Sequence, residues 1–446
     1  MIKTLIKKLI PKFLLGWYHL GLAVLAKWYY SNPSGKLIVI GVTGTNGKST
    51  TVNLIGKILE ETGAKVGWTT TVNFKVAGKK WLNDKKMTMV GRMQLQKLLA
   101  EMVKAGCRYA VIETSSEGIK QHRHSGINYD VAVFTNLTPE HIESHGSFEN
   151  YKKAKGKLFV HLMKCRRKII AGQKVPKISV VNLDSEHADY YLNFPADKKW
   201  GYTAKHKTQP TKLNNIIMAD NVKIGTNGSE FEVENVKFTT KLPGEFNVEN
   251  CLSAIATAGA LNIGLEISKN ALEKIDGVAG RMEFIDEGQN FQVLVDYAPE
   301  PESMRRLYEF INNNLRIKGK IIHVLGSCGG GRDKSRRPVL GKMAAENAEA
   351  VIVTNEDPYD DEPIKIINEV AAGSEEIKKL GNKKVEVIKI LDRREAIRKA
   401  IELAKENDLV LLTGKGAEQF ICVAKGEKIP WDERMVAREE LRKLNK

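Results

Sequence analysis

The sequence predicts an α/β protein: a central, P-loop-type, mostly parallel sheet with helices on both faces, a small β subregion, and a C-terminal Rossmann-like α/β domain. Two observations predict this class. Short apolar runs alternate with helical patterns along most of the 446 residues, as in parallel sheets whose strands are joined by helices. A glycine-rich turn also connects the first apolar run to the first helical pattern. Hydrophobic residues make up 42% of the chain, so each domain can bury a core.

The N-terminal segment, residues 1–34, differs from the rest of the chain. Its apolar part, residues 14–26, is too short to span a bilayer, which takes about 20 residues. A signal peptide fits in outline, but no clear small-residue cleavage site follows. Two alternatives are equally favoured: a helix lying on an anionic leaflet, and a helix packed on the protein body. The basic and aromatic residues of the segment are Lys3, Lys7, Lys8, Lys12, Trp17, Tyr18, Trp28, Tyr29 and Tyr30.

The glycine-rich turn, residues 41–50, reads Gly-Val-Thr-Gly-Thr-Asn-Gly-Lys-Ser-Thr. An apolar run before it predicts a buried strand, and residues 54–59 after it predict a helix with an apolar face. Backbone N–H groups of such a turn, together with the helix N-terminus, bind a phosphate anion. Lys48 would reach the terminal phosphates, and Ser49 would offer a hydroxyl to Mg²⁺. The first glycine sits one position earlier than usual, yet the order of features predicts a nucleoside triphosphate site with Mg²⁺.

Polar residues follow the next predicted strands of the central sheet. Residues 109–112 lead into Glu113, and residues 131–134 lead into Asn136. Ligands lie at the carboxyl ends of parallel strands, so Glu113 could hold Mg²⁺ near the phosphates; a helix-capping acid is the alternative. Taken alone, His141 would be a surface or structural histidine and Lys155 a solvated helix charge.

The second half of the chain predicts a hairpin, a helix and then another α/β domain. The hairpin spans residues 222–233, and an alanine-rich helix spans residues 247–261. Residues 277–280 mark a joint between domains. Four apolar strands, each followed by polar residues, are predicted at 293–295, 321–325, 350–353 and 409–412. We therefore expect an N-terminal helical segment at 1–35, a central ATP-binding domain at 36–278 and a C-terminal domain at 279–446.

Charge and cysteine content restrict the partners. Lys and Arg number 70 and Asp and Glu number 53, which gives a formal net charge of +17. This excess suits an anionic partner such as a nucleotide, nucleic acid or membrane, and a lysine-rich solvated surface explains it equally well. The five cysteines are scattered without a C-x-x-C pair, which argues against zinc and disulfides and indicates a reducing compartment. We expect a cytoplasmic protein, with possible attachment at the inner face of the membrane.

A set of short motifs in a fixed order resembles the Mur ligases, which build the peptide stem of peptidoglycan, and most closely their MurE-like members. Besides the turn at 41–50, the motifs are E-T-S-S at 113–116, Q-H-R at 121–123, T-N-L-T-P-E-H-I-E-S-H-G at 135–146, Y-K-K-A-K at 151–155, L-P-G-E-F-N-V-E-N at 242–250, G-R-M-E at 280–283, D-Y-A at 296–298, G-R-D-K-S-R-R-P at 331–338, D-P at 357–358 and G-K-G-A-E at 414–418.

The resemblance implies an ATP-dependent ligase that joins an acid and an amino acid. ATP would phosphorylate an acceptor carboxylate to an acyl phosphate, which the amine of the amino acid attacks to form an amide. Lysines and metal ions stabilise the charge that builds on transferring phosphoryl oxygens. The resemblance implies catalytic roles for Lys48, Glu113, His141 and Lys155. It implies two Mg²⁺ ions held by Ser49, Glu113, His141 and Lys155, the last as a carbamate formed with CO₂.

The resemblance also assigns binding roles. ATP binding falls to Gly44, Thr45, Asn46, Gly47, Lys48, Ser49, Thr50, Asn136, Asn247, Asn250, Arg281 and Asp296. A UDP-N-acetylmuramoyl-dipeptide-like acceptor would be held by Thr88, Ser115, Gln121 and Arg123. The incoming amino acid, lysine or diaminopimelate, would be held by Arg332, Asp357, Pro358, Tyr359, Gly414 and Glu418. The implied process is peptidoglycan synthesis, and with it cell-wall biogenesis, cell shape and division, by a monomer without a nucleic-acid partner.

Several positions depart from the family pattern. Only about 35 residues precede the phosphate loop, where relatives carry a longer uridine-binding domain. Pro299 and Ala417 replace histidines of the usual motifs. The D-N-P-R that marks diaminopimelate-adding enzymes reads Glu356-Asp357-Pro358-Tyr359, and Asp360, Asp361 and Glu362 follow. Because Tyr359 carries no charge and its surroundings are acidic, we expect lysine or a similar diamine to be preferred over diaminopimelate.

Other functions remain as alternatives. A folylpolyglutamate synthase-like ligase would run the same ATP chemistry on another acceptor, but Q-H-R at 121–123 and the C-terminal glycine loop favour the MurE type. A nucleic-acid-dependent P-loop ATPase is suggested only by the charge of +17, and it predicts steep salt dependence. A non-catalytic scaffold is disfavoured because all four implied catalytic residues are present.

Overall fold

The computed structural model describes residues 12–139, 142–205, 213–381 and 383–444. The elements of its first half are α1 (Lys12–Tyr29), β1 (Ile38–Thr43), α2 (Lys48–Glu61), β2 (Val66–Thr69), β3 (Asn73–Val76), β4 (Lys79–Leu82), α3 (Arg92–Lys104), β5 (Tyr109–Glu113), α4 (Ser116–Lys120), β6 (Val131–Phe134), α5 (Ile142–His145), α6 (Phe148–Lys164), β7 (Lys168–Ile170), β8 (Gln173–Val175), β9 (Ile178–Asn182), α7 (Ala188–Leu192), β10 (Lys198–Thr203) and β11 (Ile216–Met218).

The elements of the second half follow in the same α/β order after a short run of strands. They are β12 (Asp220–Gly225), β13 (Gly228–Val233), β14 (Val236–Thr240), α8 (Glu245–Ala260), α9 (Leu265–Glu273), β15 (Glu283–Phe284), β16 (Gln292–Asp296), α10 (Pro301–Asn314), β17 (Ile321–Leu325), α11 (Arg336–Asn347), β18 (Ala350–Thr354), α12 (Pro363–Leu380), β19 (Glu386–Ile390), α13 (Arg393–Leu403), β20 (Leu409–Thr413), β21 (Phe420–Cys422), β22 (Lys428–Pro430) and α14 (Glu433–Leu444).

The central sheet has nine strands in the described part of the chain, in the order β11-β10-β9-β6-β1-β5-β2-β3-β4. The strands from β11 to β2 are parallel, and β3 and β4 continue as an antiparallel edge. Strand β1 lies between β5 and β6, and Val42 pairs with Glu113. The ends of these three strands therefore meet at one edge, where the phosphate loop begins.

Strand β1 shows why helices cover both faces of this sheet. Its residues are all buried, and they alternate between two cores. Ile38 and Ile40 face a core shared with α2 and α8, whereas Val39 faces a core shared with α3 and α6. A strand with apolar residues on both sides needs a layer on each side, which confirms the predicted sandwich of helix, sheet and helix.

The predicted hairpin forms part of a small antiparallel sheet, β12-β13-β14, which joins the core that includes α8. A second parallel sheet follows, in the order β15-β16-β20-β17-β18-β19 for the described residues, with only β15 antiparallel. Two further cores lie on its two faces. The α/β class, the β subregion and the Rossmann-like second sheet are thus confirmed.

Helix α1 packs on α3 through small residues and exposes large ones. Ala23 and Ala26 are buried, and Gly126 lies against the Ala23 carbonyl, where a Cβ would come within 2.8 Å of that oxygen. Trp17 and Trp28 are 71% and 77% exposed. The helix therefore has one packed face and one exposed aromatic face. Among the described residues, no helix has the length and apolar character to cross a bilayer.

Candidate functional site

The phosphate loop connects β1 to α2 and is held by residues that follow β6. Backbone N–H groups of Thr45 and Asn46 donate to the backbone and side-chain oxygens of Asn136, both at 2.8 Å. The Thr135 hydroxyl donates to the Asn46 carbonyl at 2.7 Å. Neighbouring strands therefore shape the loop, as expected for residues at the carboxyl ends of a parallel sheet.

Two close approaches fix where helix α8 meets this loop. Gly47 adopts a left-handed conformation with φ of 79°, and a Cβ there would lie 2.2 Å from Oδ1 of Asn250. The same Oδ1 accepts a 3.2 Å bond from Thr51, and Asn250 donates to Asn247 at 3.1 Å. Asn247 in turn donates to the Pro243 carbonyl at 2.8 Å. The two asparagines predicted to contact ATP therefore lie beside the loop. The close approach of Asn250 leaves room only for glycine at position 47.

The structure brings together a hydroxyl and a carboxylate at the start of α2. Ser49 donates a 2.7 Å hydrogen bond to Oε2 of Glu113, the last residue of β5. Glu113 is 2% exposed and also accepts from the backbone N–H of Thr71 at 2.8 Å and its hydroxyl at 3.0 Å. A serine oxygen and a carboxylate are oxygen ligands of the kind Mg²⁺ prefers. These residues fit a Mg²⁺ ion beside the phosphate loop.

A hydrogen-bond path leads from this carboxylate to Thr88, one of the predicted acceptor residues. The Thr71 hydroxyl, which donates to Glu113, also accepts a 2.9 Å hydrogen bond from the Thr88 hydroxyl. Ser115, two residues after Glu113, caps helix α4 by accepting from the Gly118 N–H at 3.2 Å. Helix α4 ends next to Gln121, whose side-chain oxygen accepts from Arg123 at 2.8 Å. Gln121 and Arg123 lie outside the lining of the main cleft.

Lys48 and Lys155 approach the loop from two helices. Lys48 begins α2, and its Nζ donates to the Thr45 carbonyl at 2.6 Å. Lys155, on α6, is 2% exposed and donates to the Gly44 carbonyl at 2.6 Å. Its Nζ also lies 4.3 Å from the centre of the Tyr151 ring. The interpretation of Lys155 as a solvated charge is therefore wrong. His141, the other predicted metal residue, lies outside the described residues.

The second sheet contributes an arginine and a carboxylate. Asp296 ends β16 and accepts from the backbone N–H groups of Met282 and Ala298, each at 2.8 Å. Burial raises the pKa of Asp296, against the opposing effects of Arg281 and those N–H groups. The Arg281 guanidinium lies 4.4 Å from the centre of the Tyr297 ring. Both predicted ATP residues of this part therefore sit at one strand end.

One cleft of about 210 Å³ joins these groups. Its walls come from both sheets, because the phosphate loop lies on one side and the residues after β16 lie on the other. Of the predicted site residues, those that line it are Thr45, Asn46, Gly47, Lys48, Ser49, Thr50, Thr88, Glu113, Ser115, Asn136, Lys155, Asn247, Asn250, Arg281, Asp296 and Arg332.

Two of the other predicted amino-acid residues, Asp357 and Glu418, belong to a charge cluster outside the cleft lining. Asp357 is 2% exposed, and its Oδ1 accepts from Lys415 at 3.0 Å and from the Cys422 N–H at 2.8 Å. Glu418 accepts from Lys415 at 2.9 Å. Lys86, from the loop before α3, donates to both Asp357, at 2.5 Å, and Glu418. Burial acts to raise the pKa of Asp357, but Lys415 and Lys86 hold it below its ordinary value.

Basic residues pair with part of the acidic neighbourhood expected around Tyr359. Asp360 accepts from the Lys425 N–H at 2.8 Å, and Asp361 lies 3.6 Å from Arg337. Tyr359 takes a left-handed conformation with φ of 52°. Its ring packs over Gly330, and a Cβ at that glycine would come within 2.7 Å of the ring. Asp357 and Asp361 thus lie beside basic residues from distant parts of the chain, whereas the bond to Asp360 comes from a backbone N–H.

Several functional residues escape sequence reasoning. Thr71 had a usable signal, because it lies just after strand β2, as Glu113 lies at the end of β5. Lys86 had none, since it lies in a polar loop among other lysines. Arg393 is fully buried and donates to the carbonyls of Asn355, at 3.0 Å, and Thr413, at 2.6 Å. It positions the two loops that follow β18 and β20, and a helical arginine of this kind looks like a surface residue in sequence.

A phosphate loop that faces the end of a second parallel sheet across one cleft defines a nucleotide-dependent enzyme assembled from two α/β parts. The model for the Mur ligase middle domain matches residues 42–258, and the model for the Mur ligase, glutamate ligase domain matches residues 280–416. The chain belongs to the Mur ligase family, whose members are amide-bond-forming ligases that use ATP and Mg²⁺.

Curated relatives agree over most of the chain. A protein of Roseiflexus sp. (strain RS-1), named UDP-N-acetylmuramyl-tripeptide synthetase, is 38% identical over 430 residues, which cover 95% of this chain and 82% of the relative. A Geobacillus kaustophilus (strain HTA426) protein, named UDP-N-acetylmuramoyl-L-alanyl-D-glutamate–2,6-diaminopimelate ligase, is 36% identical over 434 residues, which cover 96% and 84%. The predicted MurE-like resemblance is confirmed.

Solved structures show the same fold. A structure of a UDP-N-acetylmuramoyl-L-alanyl-D-glutamate–2,6-diaminopimelate ligase matches with a TM-score of 0.60 and 26% identity, covering 95% of this chain and 83% of the other. A folylpolyglutamate synthase of Mycobacterium tuberculosis matches with a TM-score of 0.68 over 95% of both chains, at 14% identity. The second likeness concerns the fold alone.

Proposed function

We propose that this chain adds a diamino acid to the peptide carboxylate of a UDP-N-acetylmuramoyl-dipeptide-like acceptor, through an acyl phosphate, in peptidoglycan synthesis. The observation that carries the proposal is the single cleft in which the phosphate loop, Thr88 with Ser115, and Arg332 face one another. These are the residues implied to hold ATP, the acceptor and the amino acid. The names of the relatives support the same substrates.

Different residues of the cleft hold the phosphates, the Mg²⁺ ion, the nucleotide and the amino acid. Backbone N–H groups of the loop and Lys48 hold the phosphates and stabilise the charge that develops on the transferring group. Bound Mg²⁺ supplies Lewis-acid neutralisation of phosphate charge, and Ser49 and Glu113 would hold it. Asp296 and Arg281 face the nucleotide from the second sheet, and Arg332 orients the amino acid so that its amine reaches the acyl carbon.

Lys155 is proposed to act as a carbamate that helps to hold a second Mg²⁺. Its amine is buried beside the Gly44 carbonyl in the cleft lining, within the neighbourhood of the phosphate loop. Reaction of a neutral amine with CO₂ gives an anionic oxygen ligand, which suits a hard cation. His141 is proposed to support the same metal site.

The amino acid is proposed to be lysine in preference to diaminopimelate. Tyr359 stands where the diaminopimelate-adding type has the arginine that holds the distal carboxylate, and a phenol cannot offer two charged donors. The test compares kcat/KM for both amino acids on the same acceptor. A tenfold preference for diaminopimelate would overturn this choice, because about 1.4 kcal/mol would then favour the unrecognised carboxylate.

The function itself is tested by an ATP-dependent ligation screen that crosses candidate acceptors with candidate amino acids and detects products by mass. We expect a product with the UDP-muramoyl-dipeptide acceptor and a diamino acid. Folate acceptors form the second arm, because the folylpolyglutamate synthase-like alternative shares the fold. Product only in the folate arm, or ATP hydrolysis that depends on added DNA or RNA, would contradict the proposal.

The N-terminal helix is proposed to bind the surface of an anionic membrane at its cytoplasmic face. The exposed side of α1 carries Trp17, Leu25 and Trp28. Residues 1–36 include six lysines and no acidic residue, so the segment is attracted to anionic headgroups while its aromatic rings enter the interface.

We propose a monomer, because both walls of the cleft come from one chain.

A further inference from the structure

Lys86 places a positive charge from the central part of the chain inside the amino-acid cluster of the C-terminal part. Its Nζ donates to Oδ2 of Asp357 at 2.5 Å and to Glu418, and its side chain is only 7% exposed. Burial opposes the charged form, yet Glu418 and Asp357 raise the pKa of Lys86 above its ordinary value. The ammonium is therefore charged and bonded to both carboxylates.

Hydrogen bonds of Asn83 hold the loop on both sides of Lys86. Asn83 is 4% exposed and holds the loop by accepting from the Lys85 N–H at 2.8 Å and donating to the Met87 carbonyl at 3.0 Å. Between these two anchors, Lys86 takes a left-handed conformation with φ of 55°, which is uncommon for a residue with a side chain. Thr88, two residues further on, lines the ATP cleft.

The two lysines of the cluster are not equivalent. Lys415 is fixed within the C-terminal part, because it also donates to the Phe420 carbonyl at 2.7 Å and is completely buried. Lys86 comes from a loop of the central part, so a movement of that loop would take it out of the cluster. The carboxylates of Asp357 and Glu418 would then be left with one lysine between them.

We propose that Lys86 is a specificity-determining residue that occupies the place of a substrate ammonium. Its ammonium covers the carboxylate pair Asp357 and Glu418, and an amino acid with a distal ammonium binds there by displacing it. An amino acid without that group leaves Lys86 in place. This inference rests on the proposed function for the assignment of the cluster to the amino-acid site.

Displacement would link the two substrate sites. Lys86 and Thr88 share one short loop, and Thr88 bonds Thr71, which in turn bonds Glu113. Release of Lys86 by the amino acid therefore alters the loop that faces the acceptor. The conformation of this loop therefore depends on whether Lys86 or the substrate ammonium occupies the position between Asp357 and Glu418.

The first experiment compares ligand binding by wild type, Lys86→Met and a matched control, Lys85→Met, whose lysine pairs with its neighbour Asp84 at the surface. Calorimetry with L-lysine and L-norleucine is run in the presence of Mg²⁺ and a non-hydrolysable ATP analogue. Norleucine has the same carbon chain as lysine but lacks the distal ammonium. We expect Lys86→Met to bind lysine about tenfold more tightly. An internal occupant that fills the site about nine-tenths of the time leaves about one-tenth of the protein competent to bind, which weakens the apparent affinity of wild type about tenfold.

We expect norleucine affinity to be unchanged in Lys86→Met, and Lys85→Met to match wild type with both ligands. Lysine affinity that is equal to or weaker than that of wild type in Lys86→Met would overturn the proposal. A parallel loss of affinity for both ligands would also overturn it, since this would mean that Lys86 only clamps the two parts together.

A second experiment needs neither turnover nor a variant. Amine acetylation of the wild-type protein, read by peptide mass spectrometry, is compared with and without excess L-lysine or norleucine. We expect lysine alone to raise labelling of Lys86 several-fold, with Lys415 unchanged; equal labelling of Lys86 under all conditions would overturn the proposal. Failure of the proposed function would appear separately, as absence of ligated product in the screen.

Discussion

The Ser49 hydroxyl donates a 2.7 Å hydrogen bond to the Glu113 carboxylate, which joins the first turn after the phosphate loop to the end of the neighbouring strand. The two residues are 64 positions apart and meet because β1 and β5 are paired in parallel register. Glu113 is buried and also accepts two bonds from Thr71, so its position is set from three sides. Ser49 and Glu113 both line the cleft beside the phosphate loop, where phosphate charge must be neutralised.

Glu113→Gln should lower kcat by about 10²-fold or more, because it removes a charged metal ligand from a site that stabilises transferring phosphoryl oxygens. The fold should persist, since an amide oxygen can still accept the bond from Ser49. The measurement is product formation against Mg²⁺ concentration, where the variant should require more Mg²⁺. Glu101→Gln, at an exposed carboxylate on α3, serves as control and should behave as wild type.

Lys48→Ala should abolish ligation with little change in thermal midpoint. A loop lysine that faces the cleft contributes little to the core, but its loss from the transition state costs roughly 10²–10³-fold in rate. Single-turnover assays and thermal melts check this. Lys57→Ala removes a half-exposed lysine from the same helix and should leave turnover intact. Near-normal turnover by folded Lys48→Ala would refute the assignment of the loop.

Lys155→Ala should be nearly inactive, and acetate or another short carboxylate should partly restore turnover by replacing the oxygen ligand of the proposed carbamate. The test is turnover against acetate concentration in folded protein. Lys153→Ala, two residues away on the exposed side of α6, is the matched control. Full activity of Lys155→Ala would show that the buried lysine has only a structural role.

Removal of the aromatic residues Trp17 and Trp28 should weaken binding to anionic vesicles, because these rings would otherwise enter the interface. Vesicle sedimentation should show binding that falls with salt and is absent with neutral lipids. Leu380→Ser, at another exposed apolar residue, controls for general surface hydrophobicity and should not change binding. Insolubility or a much lower thermal midpoint of the double variant would instead indicate that the exposed face is packed in an assembly.

His323 should make the protein lose stability in mild acid. The ring is fully buried between Tyr308, at 2.7 Å, and Thr413, at 2.8 Å, and burial, reinforced by Arg393, lowers its pKa to about 3. Below the unfolded value near 6.5 the unfolded chain binds a proton that the folded chain cannot, so stability falls by about 1.4 kcal/mol per pH unit until pH 3 is approached.

The measurement compares unfolding of wild type and His323→Gln, which cannot titrate, at pH 7.5, 6.0 and 5.0. The variant should be less stable at pH 7.5 because its packing is altered, and the gap should shrink by roughly 1 kcal/mol between pH 6.0 and 5.0. A gap that stays constant across this range would show that His323 does not account for the acid sensitivity.

The sequence by itself determined the features that are encoded locally. The phosphate loop lies in one continuous strand, turn and helix, so its composition and the apolar periods around it are sufficient to predict it. Glu113 and Asn136 were predictable for a related reason: the alternation of strands and helices implies a parallel sheet, and such a sheet gathers the residues after its strands at one edge. The same logic would have found Thr71.

Only the tertiary structure decided which distant groups meet. Lys86 and Asp357 are 271 positions apart, and their contact depends on how the two sheets are docked. The burial of Lys155 and the closeness of Asn250 to Gly47 depend on packing within the central part, and the pairing of Asp357 with Lys415 depends on packing within the C-terminal part. Periodicity specifies which face of an element is buried. It carries no information on which charged residue of another element will lie opposite, because that is set by the packing of the whole chain.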